Sequence, residues 1–271
     1  MTVARIEQRL KGLRAEGRTA LVIYLTVGDP SVDDSIACAL AAARAGADVL
    51  ELGVPFSDPT ADGPVIAAAA YRAIQNGSSF QAALRATEAI RKESQIPIIL
   101  FTYYNPVLAF GDERAADEAL RVGADGFLVV DLPPEEGAAL RARAKHNELA
   151  MIPLITPITS EDREPLLFKG TSGFVYYVSV TGVTGSGAAP LAEAAQRAAG
   201  LRERAQLPVV IGFGIRTPAD AERAAAQGAD GVVVGTEVVR TIAAASTLEA
   251  RVAGVEKLVG ELRAGLDAHR P

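Results

Sequence analysis

One phrase recurs three times along the 271-residue chain, and it limits the fold more than any other feature. Ala45–Gly53 reads AGADVLELG, Val122–Asp131 reads VGADGFLVVD and Gln227–Thr236 reads QGADGVVVGT. Each copy follows an Ala/Arg-rich stretch of helical character. Glycine then ends the helix, because it accepts the left-handed backbone that other residues resist. The nearly continuous apolar run behind it suits a parallel strand buried on both faces. A chain that repeats helix, glycine and buried strand is building a parallel α/β sheet.

The gaps between copies hold the remaining units. Ala20–Thr26, Pro97–Thr102, Met151–Ile155, Gly173–Ser179 and Pro208–Gly212 read as strands, which with the three repeats makes eight. Helices are expected at Asp33–Ala45, Ser79–Glu93, Glu113–Val122, Pro134–His146, Ser160–Phe168, Leu191–Ala205, Pro218–Gln227 and Leu248–Ala268. Another, at Val3–Ala15, precedes the first strand and is expected to plug the barrel bottom. Eight units in a chain near the usual length of about 250 residues predict one (β/α)8 TIM barrel over residues 1–271. The main rival is an open doubly wound sheet, which usually carries G-x-G-x-x-G after its first strand. Here that strand runs into Val27-Gly28-Asp29-Pro30 instead.

The formal net charge of −6 argues against a basic surface for nucleic acid. A charged N-terminus and the lack of any apolar run of about 18 residues point to a cytoplasmic chain with no membrane segment. The single cysteine, Cys38, allows no internal disulfide and is expected in a helix core.

The repeat exposes an outlier. Three residues after each GAD aspartate stand Glu51, Leu128 and Val233. Glu51 puts a carboxyl group where its two counterparts are hydrocarbon, and burial raises a carboxyl pKa. A strand end is also where barrels place catalytic groups. The competing reading is a structural Glu paired with Arg, but no strand contains a basic residue. The following segment, ELGVPFSDPTADGP, is a proline-rich rigid loop. Within it, Asp62 is either a helix N-cap or a functional carboxylate, and Asp58 is either a turn former or functional.

Glycines gather at the later strand ends: Gly182–Gly187 (GVTGSG), Gly212–Gly214 (GFG) and Gly235 beside Thr236. Their backbone N–H groups suit a phosphate, next to a short helix beginning at Thr236. Tight turns are the plainer explanation of any one of them. The five lysines, Lys11, Lys92, Lys145, Lys169 and Lys257, all fall away from the C-terminal strand ends, which disfavours Schiff-base chemistry. With only His146 and His269, the usual zinc ligand set cannot be assembled, so no metal is expected.

The segment ELGVPFSDPTADGP closely resembles the signature of the tryptophan synthase alpha subunit family. YLTVGDP, TYYNP, DLPPEE, YYVSVTGVTG and GFGI resemble the same family in order and spacing. The resemblance implies retro-aldol cleavage of indole-3-glycerol phosphate to indole and glyceraldehyde 3-phosphate, with no cofactor in this chain. It also implies a beta-subunit partner carrying pyridoxal phosphate, in an alpha2-beta2 complex. By motif, Glu51 resembles the general acid/base and Asp62 the carboxylate facing the indole N–H. Tyr24, Tyr104, Leu128, Tyr176, Thr184 and Phe213 fall on substrate positions. Gly185, Gly214, Gly235 and Thr236 match the phosphate cradle, and Pro55, Asp58 and Asn105 the partner interface. Thr60, Ala67, Thr236 and Glu237 depart from the family pattern, the last placing a carboxylate near the phosphate. A stand-alone lyase, and a weakly active subunit that mainly activates its partner, are the alternatives.

Overall fold

The computed structural model describes residues 3–178, 188–212 and 214–268. Among these, nine parallel strands form one sheet: β1 Ala20–Thr26, β2 Val49–Gly53, β3 Ile98–Thr102, β4 Gly126–Val129, β5 Ala150–Met151, β6 Leu154–Ile155, β7 Val175–Val178, β8 Val209–Gly212 and β9 Gly231–Val234. Their order is β5-β4-β3-β2-β1-β9-β8-β7-β6. The two ends are consecutive pieces of chain. The strand expected at Met151–Ile155 is therefore found as two halves, separated at Ile152-Pro153. Proline has no N–H to give a ladder. The Ile152 N–H still donates to Phe127 O (2.9 Å) on the β4 side, and Tyr176 N–H donates to Pro153 O (2.9 Å) on the β7 side. One broken strand thus joins both edges, and the eight units close into a TIM-type barrel.

The helices are α1 Val3–Ala15, α2 Val32–Arg44, α3 Pro64–Gln75, α4 Phe80–Glu93, α5 Tyr104–Phe110, α6 Asp112–Val122, α7 Ala138–His146, α8 Glu164–Phe168, α9 Ala188–Ala205, α10 Pro218–Ala226, α11 Thr236–Ala244 and α12 Leu248–Ala268. Most match the expected spans within a few residues. The α7 helix starts four residues later than expected, because Gly137 enters it at φ +65°. The short α5 was not anticipated. No helix among the described residues is long and apolar enough to cross a membrane.

Strand residues alternate between two cores. Leu21, Ile23, Leu50 and Leu52 point outward into the layer beneath the helices, where buried Cys38 also lies. Ala20, Val22, Tyr24, Val49, Ile99 and Leu128 point inward and fill the barrel. Ile6, Leu10 and Leu13 of α1 join this inner cluster from below, so α1 closes the barrel floor.

The repeat has a structural purpose at that floor. Gly46, Gly123 and Gly228 all have positive φ, between +77° and +111°. Asp48 accepts from Leu21 N (2.7 Å), Asp125 from Ile98 N (2.8 Å) and Asp230 from Val209 N (2.9 Å). Each aspartate thereby ties its own strand to the neighbouring one. Each also takes an arginine: Arg263 on Asp48, Arg91 on Asp125 and Arg202 on Asp230. A Cβ on Gly46 would meet Arg263 at 2.8 Å, and one on Gly123 would meet Arg91 at 2.8 Å. In those two copies the glycine clears a path for the arginine that its aspartate receives. Arg9 and Arg5 of α1 reach Asp48 and Asp125 as well.

Candidate active site

Glu51 stands on β2 with Val49 and Gly53 on the inward side, paired in register with Tyr24 of β1 and Ile99 of β3. Its repeat counterparts Leu128 and Val233 belong to the same inner cluster. The carboxyl group is 0% exposed, and neither oxygen has a hydrogen-bond partner among the described residues. Loss of solvation alone lifts its pKa to about 8. A structural glutamate paired with arginine is thus not what the barrel holds.

Three aromatic rings crowd this end of the barrel. Tyr24 meets Phe101 edge-on at 5.2 Å, and Phe101 meets Tyr176 at 6.2 Å. Both tyrosines feel the Glu51 charge, and burial raises both phenol pKa values. Glycines make space for the rings. A Cβ on Gly53 would lie 2.2 Å from the Tyr24 hydroxyl oxygen, and one on Gly212 would lie 3.1 Å from the Tyr176 ring. Phe101 was not anticipated from sequence, although its inward parity with Ile99 could have identified it.

Asp62 lies in the loop between β2 and α3. The N-cap of α3 is Gly63, with Pro64 following and no side-chain cap bond, so Asp62 does not cap this helix. Its carboxyl pKa is pushed up to about 6 by burial, against a lowering hydrogen bond from the Tyr103 hydroxyl. That hydroxyl also accepts from Ala61 N at 2.9 Å.

The tyrosine pair after β3 needs a correction. Tyr104, expected at the substrate pocket, packs against the outer cluster, and its hydroxyl donates to Asp112 Oδ2 at 2.9 Å. Tyr103 is the one beside Asp62, 3% exposed and stacked on Phe56 at 5.3 Å. The beginning of α5 at Tyr104 turns successive side chains to different sides, and that start was not read from the sequence.

Further round the barrel mouth, at the ends of β8 and β9, Gly214 has φ +62° with no atom of the described residues within 4 Å of a built Cβ. Gly235 is the N-cap of α11 and Thr236 its first residue. The free N–H groups and positive dipole end of that helix favour an anion. Glu237 pairs with Arg240 one turn on (3.3 Å), which offsets its charge near this terminus. Thr184, Gly185 and Phe213 lie outside the described residues. Pro55 is buried, while Asp58 and Asn105 are exposed, as is Thr60; Ala67 is half-buried on α3. The Asp58 carboxylate accepts from the Ser57 hydroxyl at 2.5 Å. Among the described residues no group of three His, Cys, Asp or Glu side chains is arranged to hold a metal.

Comparison with known proteins agrees with this arrangement. A family profile described as "Tryptophan synthase alpha chain" matches residues 10–267. A tryptophan synthase alpha chain from Geobacter sp. (strain M21) is 45% identical over 238 residues, covering 88% of this chain and 89% of that one. The solved tryptophan synthase subunit alpha from Legionella pneumophila str. Paris superposes with a TM-score of 0.89 at 34% identity, covering 97% and 98% of the two chains. A chain of the aminoacrylate-bound tryptophan synthase from M. tuberculosis gives a TM-score of 0.85 at 32% identity, covering 97% and 99%. With a matching profile over nearly its whole length, relatives above 30% identity and a barrel of the same shape, the chain belongs to the tryptophan synthase alpha chain family.

Proposed function

We propose that the chain cleaves indole-3-glycerol phosphate to indole and glyceraldehyde 3-phosphate by a retro-aldol reaction, with residues 1–271 acting as one barrel domain. The observation that carries this reading is the sealed Glu51 carboxyl, unpartnered among the described residues and with a pKa of about 8. Such a group is still protonated at neutral pH and can act as a general acid.

The chemistry assigns each group a task. Glu51 protonates indole C3, and the resulting cation makes the ring a competent leaving group. The side-chain hydroxyl then loses its proton, the aldehyde C=O forms, and the bond to C3 breaks with its electron pair returning to the ring. Glu51, now a carboxylate, is the acceptor for that hydroxyl proton, so the enzyme ends as it began. Asp62 stays ionised on the indole N–H side and stabilises the positive charge that develops there. Tyr24, Phe101, Leu128 and Tyr176 form the apolar walls, joined by Phe213. Gly214, Gly235 and Thr236 with Gly185 hold the phosphate, whose binding energy anchors the substrate remotely from the breaking bond. Thr184, outside the described residues, is assigned to the substrate by the family resemblance alone.

Family membership implies an alpha–beta partnership. The finer reading is an alpha2-beta2 complex in which Pro55, Asp58 and Asn105 face the beta subunit, which carries the pyridoxal phosphate. Asp58 and Asn105 are exposed and available to such a partner, whereas Pro55 is buried in the chain alone; turnover with and without a beta subunit separates this reading from a stand-alone lyase.

Indole release by Glu51→Gln tests the central role. The amide keeps the shape but cannot deliver a carboxyl proton, so turnover is expected to fall by about 10²–10⁴ with substrate affinity retained. Turnover within a few-fold of the unaltered chain would remove Glu51 from the mechanism.

A further inference from the structure

Resting on the reading that Asp62 works as an ionised carboxylate, we propose that Tyr103 is its positioning residue: a buried hydroxyl that joins the backbone of the 54–63 loop to the Asp62 side chain and fixes where that carboxylate points.

The geometry restricts what this hydroxyl can do. It accepts a hydrogen bond from Ala61 N at 2.9 Å, so its own proton is left for the carboxylate one residue further on. The ring is 3% exposed and lies against Phe56 at 5.3 Å and 35°, which removes the freedom to swing away. Phe56 and Ala61 belong to one loop, while Tyr103 stands between β3 and α5. A single side chain therefore pins the loop at both ends. The Asp62 backbone is held too, its N–H donating to Pro59 O at 3.0 Å. N-capping is excluded at Asp62, which leaves the Tyr103 hydroxyl as the side-chain hydrogen-bond partner of this carboxylate among the described residues.

The charges around Asp62 make the hydroxyl matter. The titratable groups that face it are Tyr103, Tyr24 and Tyr176, with Asp131 behind Tyr103, and none is a cation. No arginine or lysine offsets the desolvation of this carboxylate among the described residues. The Tyr103 hydrogen bond is what favours its ionised form. Removing the donor should therefore make Asp62 harder to ionise as well as freer to turn.

The test compares Tyr103→Phe with the unaltered full chain. Two readouts are used: the pH profile of indole release from indole-3-glycerol phosphate, and the titration of the Asp62 carboxyl carbon by NMR, assigned by its loss in Asp62→Asn. In Tyr103→Phe both the acid limb and the Asp62 titration are expected to move to higher pH by on the order of one unit, lowering kcat/KM about fivefold near pH 6 and much less near pH 7.5. The substrate phosphate titrates identically in both proteins, so it cannot create the difference. Placing 3-fluorotyrosine at position 103 keeps the ring and strengthens the donor, and should move both readouts to lower pH. That second variant keeps the test decisive if the Phe substitution disturbs folding. An unchanged Asp62 titration in either folded variant overturns the proposal. Full turnover in Asp62→Asn would instead overturn the role given to Asp62, and the NMR titration would still judge Tyr103.

Discussion

Glu51 and Asp62 are both carboxylic acids, yet the fold treats them differently. Glu51 has no solvent and, among the described residues, no partner, and its pKa is about 8; Asp62 keeps a hydroxyl donor and partial exposure, and its pKa is about 6. Between those values one group is protonated while the other is ionised, which is the pairing that acid-assisted cleavage requires. The expected kcat/KM profile rises with pH through about 6 as Asp62 ionises and falls through about 8 as Glu51 loses its proton. A profile flat from pH 7 to 9.5 would contradict this assignment. Stability carries the same signature. The folded Glu51 pKa lies above its ordinary value of 4.5, so between 4.5 and about 8 the folded state binds more protons than the unfolded one. Stability from this group is therefore fully present below 4.5 and is lost as pH rises to about 8, at no more than about 1.4 kcal/mol per unit. The Glu51 anomaly was legible because three repeat copies show what an inward position normally holds. Asp62 was ambiguous in the sequence, since only the backbone at Gly63 decides who caps α3. The Tyr103–Tyr104 assignment slipped by one residue because nothing local announces the start of α5.

At the scale of elements, the phosphate reading depends on where α11 begins. Gly235 ends the strand side of the turn and Thr236 opens the helix, so the first free N–H groups face the barrel mouth. Gly214 presents backbone from the neighbouring strand end at φ +62°, a conformation that costs other residues strain. Gly214→Asp adds both that strain and a negative charge. It is expected to raise the KM for indole-3-glycerol phosphate by roughly tenfold or more, corresponding to at least about 1.4 kcal/mol, with a smaller effect on kcat. Equilibrium binding of glyceraldehyde 3-phosphate checks the same point without chemistry, and an unchanged affinity would move the phosphate elsewhere. Element types were legible because helix caps and apolar runs are local. Boundaries failed where a left-handed glycine intervened, as at Gly137 before α7, or where a proline interrupted a ladder, as at Pro153.

Over the whole molecule, function and stability separate toward opposite ends of the barrel. Glu51 sits midway along β2, whereas the repeat aspartates precede their strands, and two of them, Asp48 and Asp125, meet α1 at the floor. Alternating helices and strands made the barrel and its closure legible, since eight units predicted both; the broken strand that serves both sheet edges was not. The arginine clamps were equally hidden, because Arg263 and Asp48 are 215 residues apart. This separation predicts that floor damage lowers stability without altering chemistry. Leu10 is 4% exposed within the inner cluster, and Leu10→Ala is expected to cost about 2–5 kcal/mol. Asp48→Ala takes one of two carboxylates from Arg263, which keeps Asp267, and leaves the buried Leu21 N–H without its acceptor, so it should cost about 1–3 kcal/mol. Urea unfolding should show lower midpoints for both. Indole release per folded molecule at 25 °C should keep its KM and its pH limbs, because neither Leu10 nor Asp48 supplies a hydrogen bond or ring contact to Glu51, the aromatic walls or the α11 terminus. A shifted pH profile in either variant would mean that the floor sets the geometry at Glu51, and that the barrel transmits strain along its strands instead of isolating one end from the other.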